Sequence, residues 1–304
     1  MRIYTLTLNP AYDIHAEAAS FAAGQETLAT VTSREAGGKG VNISRALANG
    51  GVPNTAVVVL GQDNAGDFRQ GIEKAGIHAV YLEKPGRIRE NLTLHCAGQP
   101  ETRISFAGFS VEDSILEEVL NVMTVDPETV VTFTGRVPAG MSPEKVKAFL
   151  QELKNRGAKL VLDSKSLTAQ DILDLKPWLI KPNQEEVAVY AGCPVETMEE
   201  AAQKGKLFAD AQVENVVISM GGQGAVLLHR GKAYTAVPPR IQPVSTVGAG
   251  DSMIAGFLAA TAMGEAPAQC LKRAVAYGTA ACLTQGTEPP EQANIDAIYQ
   301  EVIQ

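Results

Sequence analysis

Short apolar runs rich in β-branched residues alternate along the chain with longer stretches in which apolar residues recur at helical spacing. Because the short runs are apolar at successive positions, they predict strands buried on both faces, as in a parallel sheet between two helical layers. Alternation of strands and helices predicts a doubly wound α/β fold, in which ligands bind beyond the carboxyl ends of the strands. The predicted strands are Ile3–Leu8, Ala56–Leu60, Val130–Phe133, Lys159–Leu162, Leu179–Lys181 and Val216–Ser219.

Several helix starts are also legible in the sequence. Ser142 precedes a proline and predicts a capped helix with Pro143 in its first turn. Thr197 and Glu200 have the spacing of a capping box. The run Met253–Ala260 is small and apolar at nearly every position, so it predicts a helix that is buried all round.

Two stretches depart from this alternation and predict a separate β-rich excursion. Ile14–Ser33 is small and polar, whereas Arg87–Phe106 alternates between apolar and polar residues around a turn at Gly98–Glu101. The second stretch therefore predicts a hairpin.

Composition and charge limit the function classes. A net charge of −8 over 304 residues argues against non-specific nucleic-acid binding, which needs a basic surface. No apolar run is long enough to cross a bilayer, and no basic region followed by an apolar stretch marks the N-terminus. The four cysteines are scattered without metal-like spacing. We therefore expect a cytoplasmic protein with no nucleic-acid or membrane partner.

Two glycine turns carry the candidate chemistry. In Ser245–Ser252 the turn opens a helix whose free N–H groups favour an anion, and Asp251 could receive a proton there. In Ala36–Gly40 a similar turn opens a helix that brings Lys39 and Asn42. This second turn has the spacing of neither a Walker A loop nor a dinucleotide fingerprint. Asp251 as a plain helix cap is the alternative.

Both loops resemble those of the ribokinase-like carbohydrate kinases, the PfkB family. Three further segments resemble family motifs, in family order and over nearly the whole chain: Thr7–Asp13, Lys181–Glu186 with its N-x-x-E spacing, and Ser219–Ala225. The resemblance implies one ribokinase-like domain over 1–304, with a mostly parallel doubly wound sheet flanked by helices. It also implies a small β-sheet lid from segments of about 10–33 and 86–107, and a homodimer formed through that lid.

The resemblance implies ATP-dependent transfer of a phosphoryl group to an alcohol group of a ketohexose phosphate. Asp251 would be the catalytic base, and the backbone around Gly248, Ala249 and Gly250 would form the anion hole. Fructose 1-phosphate, giving fructose 1,6-bisphosphate, is the first choice of acceptor. Tagatose 6-phosphate and fructose 6-phosphate stay open, as do a non-catalytic sugar-phosphate sensor on the same fold and, from another class, a dinucleotide enzyme.

The substrate residues implied by the resemblance fall into two groups. Asp13, Gly38 and Asn42 would hold the sugar, whereas cations would hold a phosphate already on it. Alternation along a strand puts Arg87, Arg89 and Asn91 on one face, so we expect them to be inside together or, as solvated hairpin residues, outside together. The substrate set is Asp13, Gly38, Lys39, Asn42, Arg87, Arg89 and Asn91.

ATP and Mg²⁺ are the implied cofactors. Asn183 and Glu186 lie one helical turn apart and would hold Mg²⁺ through water, although an N-cap with a first-turn carboxylate explains the same spacing. The nucleotide-side residues are Lys181, Asn183, Ser219, Gly221, Gly224 and Gly248.

The chain departs from the phosphosugar branch of the family at three positions. Arg136 stands where a serine is usual near the sugar, Glu90 where an apolar residue is usual, and Thr93 where a lysine is common. These departures put the identity of the sugar phosphate in question.

Overall fold

A computed structural model describes all residues, 1–304, and contains two separate β-sheets. The strands are β1 (Arg2–Thr7), β2 (Ala11–Ala18), β3 (Ala29–Gly37), β4 (Thr55–Gly61), β5 (Ala79–Lys84), β6 (Arg89–Cys96), β7 (Thr102–Ser105), β8 (Thr129–Thr134), β9 (Lys159–Asp163), β10 (Leu179–Ile180), β11 (Asn215–Ser219), β12 (Ala225–His229) and β13 (Lys232–Ala236). All six strands predicted from the apolar runs are present.

Helices occupy most of the connections between these strands. They are α1 (Lys39–Asn49), α2 (Ala65–Lys74), α3 (Ile115–Asn121), α4 (Pro143–Asn155), α5 (Ala169–Leu175), α6 (Gln184–Ala191), α7 (Met198–Asp210), α8 (Ala249–Ala262), α9 (Pro267–Ala281) and α10 (Gln292–Glu301). Ser142 caps α4 ahead of its proline, and Thr197 and Glu200 form the capping box of α7, as predicted. No helix combines the length and apolarity needed to cross a membrane.

The large sheet has nine strands in the order β13-β12-β11-β10-β9-β8-β1-β4-β5. Every neighbouring pair is parallel except β11–β12 and β12–β13, which are antiparallel. The chain passes from β1 to β4 and β5 on one side and then continues from β8 outwards on the other. The doubly wound, mostly parallel sheet is thus confirmed, with its switch point between β1 and β8.

Helices cover both faces of this sheet, which explains why its strands are apolar at successive positions. Leu160 and Leu162 of β9 belong to a buried cluster with side chains of α3, α4, α5, α6 and α7. Val161, between them, belongs to a second cluster with α1, α8, α9 and α10. Burial on alternate sides fixes the register of each strand, because a slip by one residue would exchange the two faces.

The small sheet has the order β3-β2-β6-β7, with β2 and β6 parallel and both outer pairs antiparallel. The predicted hairpin is β6 and β7. The other predicted lid segment, about 10–33, differs at its C-terminal boundary, since β3 continues to Gly37 rather than ending near residue 33. The extension is explained by pairing: Ala36 and Gly37 lie opposite Tyr12 and Ala11 of β2.

The two faces of the small sheet differ in chemistry. Asp13, Asn91 and Arg103 lie in register-matched rows on one face, where side chains from neighbouring strands meet. Ile14, Leu92 and Ile104 are paired across the same strands one position further along and therefore point to the opposite face. The sheet thus has a polar face and an apolar face.

Candidate active site

The turn before α8 supplies an anion site at a helix N-terminus. Gly248, at the N-cap, has φ 79°, a left-handed conformation that a residue with a Cβ adopts only with strain. Gly250 and Asp251 are the second and third residues of the helix, where N–H groups have no intrahelical acceptor. The helix itself is buried from Asp251 to Ala260, as the sequence predicted.

Asp251 is a buried carboxylate with the properties of a general base. Its side chain accepts a hydrogen bond from Asn42 Nδ2 at 3.0 Å. The pKa of Asp251 is raised to about 6, chiefly by burial and also by the nearby Asp163 carboxylate, although Lys39, Asn42 and Lys181 act to lower it. A base that exchanges its proton near neutral pH is well matched to proton abstraction from a hydroxyl.

The second glycine turn connects the surroundings of Asp251 to the small sheet. Gly37 ends β3 against Asp13, and a Cβ at Gly37 would collide with the Asp13 carboxylate, so this close approach requires glycine. Gly38 is the N-cap of α1, which begins at Lys39 and includes Asn42. The turn is therefore shorter than predicted, because Lys39 and Gly40 are already helical.

A carboxylate that the sequence analysis missed lies between two lysines. Asp163, the last residue of β9, is buried and accepts from Lys39 Nζ at 2.9 Å, with Lys181 Nζ 3.7 Å away. Burial by itself would raise the pKa of Asp163, but the two ammonium groups lower it below its ordinary value. Asp163 could have been found from sequence, since it directly follows a predicted buried strand.

A second polar cluster lies on the small sheet. Asn91 Nδ2 donates to Asp13 Oδ1 at 2.8 Å, and Arg89 donates to Asn91 Oδ1 at 3.0 Å. Arg103, which the sequence analysis did not single out, lies 3.7 Å from the Asp13 carboxylate. Burial lowers the pKa of Arg89, and so do the positive charges of Arg103 and Arg136 nearby. Three arginines therefore share one region, beside an acidic and an amide side chain.

Arg87 does not share the environment of Arg89 and Asn91. Asn91 is buried and Arg89 half-buried, whereas Arg87 is exposed. The expectation that all three lie inside together or outside together is wrong, because β6 begins only at Arg89 and Arg87 instead bridges to Gln62 next to β4. Strand alternation therefore does not extend back to Arg87.

Several buried polar atoms around these clusters have no partner within the protein. They include Asn42 Oδ1, Arg89 Nε and Asn9 Oδ1. Gly108 lies between the last two, since a Cβ there would meet both Asn9 Oδ1 and the Arg89 side chain. Buried donors and acceptors without partners are costly unless a ligand satisfies them, so these atoms indicate a polar ligand.

The residues assigned to the nucleotide side lie next to one another at the carboxyl ends of β10 and β11. The Ser219 N–H donates to Pro182 O at 3.1 Å, and Ser219 forms a bridge with Asn183. Gly221–Gln223 form a single turn of 3₁₀-helix, which Gly224 follows. Lys181 is buried, and a Cβ at Gly250 would lie 3.1 Å from its Nζ, which brings this edge against the start of α8.

Asn183 and Glu186 form the capping box of α6. Asn183 Oδ1 accepts from the Glu186 N–H at 2.8 Å, and Glu186 Oε2 accepts from the Asn183 N–H at 3.0 Å. The capping interpretation of this spacing is thus confirmed. It uses one carboxylate oxygen of Glu186, and the other oxygen makes no hydrogen bond within the protein.

Comparison with known proteins agrees with this arrangement. A model of the pfkB family of carbohydrate kinases matches residues 7–294. The chain belongs to the pfkB family. A 1-phosphofructokinase from Vibrio cholerae is 34% identical over 84% of this chain and 81% of its own length. The 1-phosphofructokinase of Escherichia coli K12 is 31% identical over 92% of this chain and 90% of its own length.

The fold of this pfkB family member also matches a solved structure over nearly its whole length. The crystal structure of phosphofructokinase-2 from Escherichia coli in complex with substrates and products has a TM-score of 0.93, with 99% of each chain covered. At 24% identity this match shows the fold. The resemblance stated from the motifs, and the α/β fold that it implied, are therefore confirmed.

Proposed function

We propose that this pfkB kinase transfers the γ-phosphoryl group of ATP to fructose 1-phosphate and forms fructose 1,6-bisphosphate. The observation that carries the proposal is that the turn into α1 joins two groups of side chains: Gly37 lies against Asp13, which is in the cluster with Arg89, and Asn42 donates to the buried Asp251. A free sugar needs only neutral donors and acceptors, whereas a sugar phosphate needs cations for its existing phosphate. Relatives named 1-phosphofructokinase support the same acceptor.

In this proposal the substrate phosphate lies against Arg89, with Arg103 and Arg136 contributing to the positive field. The sugar hydroxyls meet Asp13, Asn91 and the unpartnered Asn42 Oδ1. Gly38 keeps the backbone close to the sugar. We assign no substrate contact to Arg87, which is exposed. Arg136, at the position where the motif resemblance leads us to expect serine, adds a cation to this region.

The transfer step follows from the position of Asp251. Its carboxylate accepts the proton of the acceptor hydroxyl as that oxygen forms a bond to the γ-phosphorus, and the bond from phosphorus to the β–γ bridging oxygen breaks to release ADP. N–H groups at the start of α8, around Ala249 and Gly250, stabilise the negative charge of the transferring group. Lys39 lies beside Asp251 and Asp163, so we assign it to this end of the pocket rather than to the substrate phosphate.

ATP and Mg²⁺ complete the proposal. The nucleotide would lie along Lys181, Asn183 and the turn from Ser219 to Gly224. The donor set fits Mg²⁺, because Glu186 has a free carboxylate oxygen and Mg²⁺ binds through few carboxylates, water and substrate phosphates. Bound there, the ion would neutralise charge on the phosphate oxygens of ATP.

We also propose that two copies associate through the apolar face of the small sheet. Val31 is 60% exposed and Ile104 40% exposed, while the sheet's own cluster contains only Ala16, Leu94 and Cys96. So small a core gives little stability by itself. A second copy would cover this face and leave the polar face, with Asp13 and Asn91, over the sugar as a lid.

A coupled assay of ADP release tests the proposed function. It compares fructose 1-phosphate with tagatose 6-phosphate, fructose 6-phosphate and free fructose at equal concentration. We expect the highest kcat/KM with fructose 1-phosphate and at least tenfold less with free fructose, since a charge-assisted phosphate contact is worth about 1.5–3 kcal/mol. If the protein phosphorylates none of these sugar phosphates, the proposal is wrong and a sugar-phosphate sensor is favoured.

A further inference from the structure

Four charged side chains from four elements meet beside the start of α8. Lys39 comes from α1, Asp163 ends β9, Lys181 follows β10 and Asp251 lies in α8. Asp251 has an assigned role as the base, whereas Asp163 touches only the lysines. A buried carboxylate costs several kcal/mol to desolvate, and a structural role would be served more cheaply by an apolar residue. Asp163 therefore needs a functional explanation.

The contacts of Asp163 indicate what it does. Its Oδ2 accepts from Lys39 Nζ at 2.9 Å, and the same oxygen lies 3.7 Å from Lys181 Nζ. Lysine has a flexible four-carbon stem, and Lys39 is only half-buried, so its ammonium needs a fixed partner to stay in place. We propose that Asp163 is a positioning residue of the transfer step, holding the Lys39 ammonium beside Asp251 at the catalytic end of the pocket. This inference rests on the proposed kinase function.

The charge of Asp163 has a second consequence, because it acts on the base itself. The groups facing Asp251 are Lys39 and Asn42 from α1, Asp163 from β9 and Lys181 after β10. Among these, Asp163 alone raises the pKa of Asp251; the lysines and Asn42 lower it. Without Asp163, the positive charges of Lys39 and Lys181 would no longer be opposed by its negative charge. The pKa of Asp251 would therefore fall. Asp163 thereby keeps Asp251 basic enough to take a proton.

The variant Asp163→Asn distinguishes the positioning of Lys39 and the raised pKa of Asp251 from a role of Asp163 in folding alone. We expect kcat with fructose 1-phosphate to fall about ten- to a hundredfold, as small displacements of a catalytic group produce. We also expect the acid limb of the pH profile of kcat/KM to move down by about one pH unit, as removal of a like charge predicts. A residue that serves only folding would not move that limb.

Asp163→Glu keeps the charge but displaces the carboxylate along the side chain. We expect it to leave the acid limb at the wild-type pH while kcat stays reduced. This variant also decides the matter if Asp163→Asn does not fold, since Lys39 and Lys181 keep a carboxylate partner. A wild-type kcat in Asp163→Glu would overturn the positioning role. The matched control is Glu152→Gln, which removes one negative charge from an exposed pair with Arg156 and should change neither kcat nor the pH profile.

A measurement without turnover keeps this inference distinct from the proposed function. The pKa of Asp251 can be read from its ¹³C carboxyl resonance, assigned by comparison with Asp251→Asn. We expect it about one unit lower in Asp163→Asn than in the wild type. An unchanged value, or an unchanged acid limb, overturns the inference. If the wild type phosphorylates no sugar phosphate, the proposed function fails while the resonance still decides whether Asp163 tunes Asp251.

Discussion

At the scale of single residues, the site depends on carboxylates and cations placed where water is largely excluded. Asp251 and Asp163 are both buried, yet their surroundings push their pKa values apart: burial and a like charge raise the first, and two lysines lower the second. Two titratable groups separated in this way indicate different roles, one exchanging a proton and the other staying charged. This separation underlies the assignment of Asp251 as the base.

Asp251→Asn should abolish most of the activity and stabilise the fold. Losing a general base costs about 10²–10⁴-fold in kcat, whereas ATP affinity should change little. Because the folded-state pKa of about 6 lies above the ordinary 3.8, ionising Asp251 costs stability as pH rises between these values. The variant lacks that cost and should be more stable by about 2–3 kcal/mol above pH 6, with no gain below pH 4.

Urea denaturation at pH 4 and pH 7.5, together with kcat at the higher pH, checks both parts. A variant with more than about a tenth of the wild-type kcat would contradict the assignment of a general base. An equal free energy of unfolding for the two proteins at pH 7.5 would contradict the raised pKa of the buried Asp251 carboxylate.

Arg89→Ala should raise the KM for fructose 1-phosphate about ten- to a hundredfold and barely alter ATP binding, because one charge-assisted contact in a closed site is lost. Arg87→Ala is the matched control and should have a KM close to the wild type, since Arg87 is exposed. Steady-state kinetics with both substrates varied measures these effects. If neither variant alters the KM, the acceptor is an unphosphorylated sugar and the proposed substrate is wrong.

At the scale of elements, the catalytic groups gather because parallel strands all end at one edge of the sheet. Asp163, Lys181 and Ser219 end or follow β9, β10 and β11 in turn. Their positions follow from the apolar runs, which the sequence makes plain. Their contacts do not, because which lysine pairs with Asp163 depends on how α1 packs. Asp163 and Arg103 were therefore missed, although the loops around Asp251 and Lys39 were found.

The capping box of α6 provides a test at this scale. Glu186→Gln keeps an oxygen that can accept from the Asn183 N–H, so the helix should remain capped and the melting temperature nearly unchanged. Losing the charge should nevertheless raise the Mg²⁺ concentration needed for half-maximal activity more than it raises the sugar KM. A Mg²⁺ titration identical to the wild type would leave Glu186 with the capping role alone.

At the scale of the whole molecule, the small sheet accounts for the part of the fold that the sequence predicted least well. Its hairpin was legible in the alternation around Leu92 and Leu94, but the length of β3 was not, because Ala29–Arg34 lacks an apolar pattern and is largely exposed. A strand without a buried face of its own is defined by pairing with its neighbours, which local sequence does not encode.

The apolar face of this sheet predicts the oligomeric state. Val31→Asp should weaken self-association at least tenfold, because a charge would be buried in the contact between copies. Met263→Asp is the control, since Met263 is also exposed but lies at the end of α8, outside the small sheet. Sedimentation equilibrium measures both. A wild type that sediments as a monomer at micromolar concentration, with or without sugar phosphate, would contradict the dimer.

We expect a sugar phosphate to lie between the arginines and Asp251 and to be phosphorylated on the hydroxyl that is nearer Asp251. The most direct test is ³¹P NMR of the purified protein with MgATP and fructose 1-phosphate, alongside Asp251→Asn. We predict that the wild type converts fructose 1-phosphate into fructose 1,6-bisphosphate with one ADP for each product, and that the variant leaves the substrate unchanged on the same timescale. Inorganic phosphate without bisphosphate, or equal conversion by both proteins, would contradict the account.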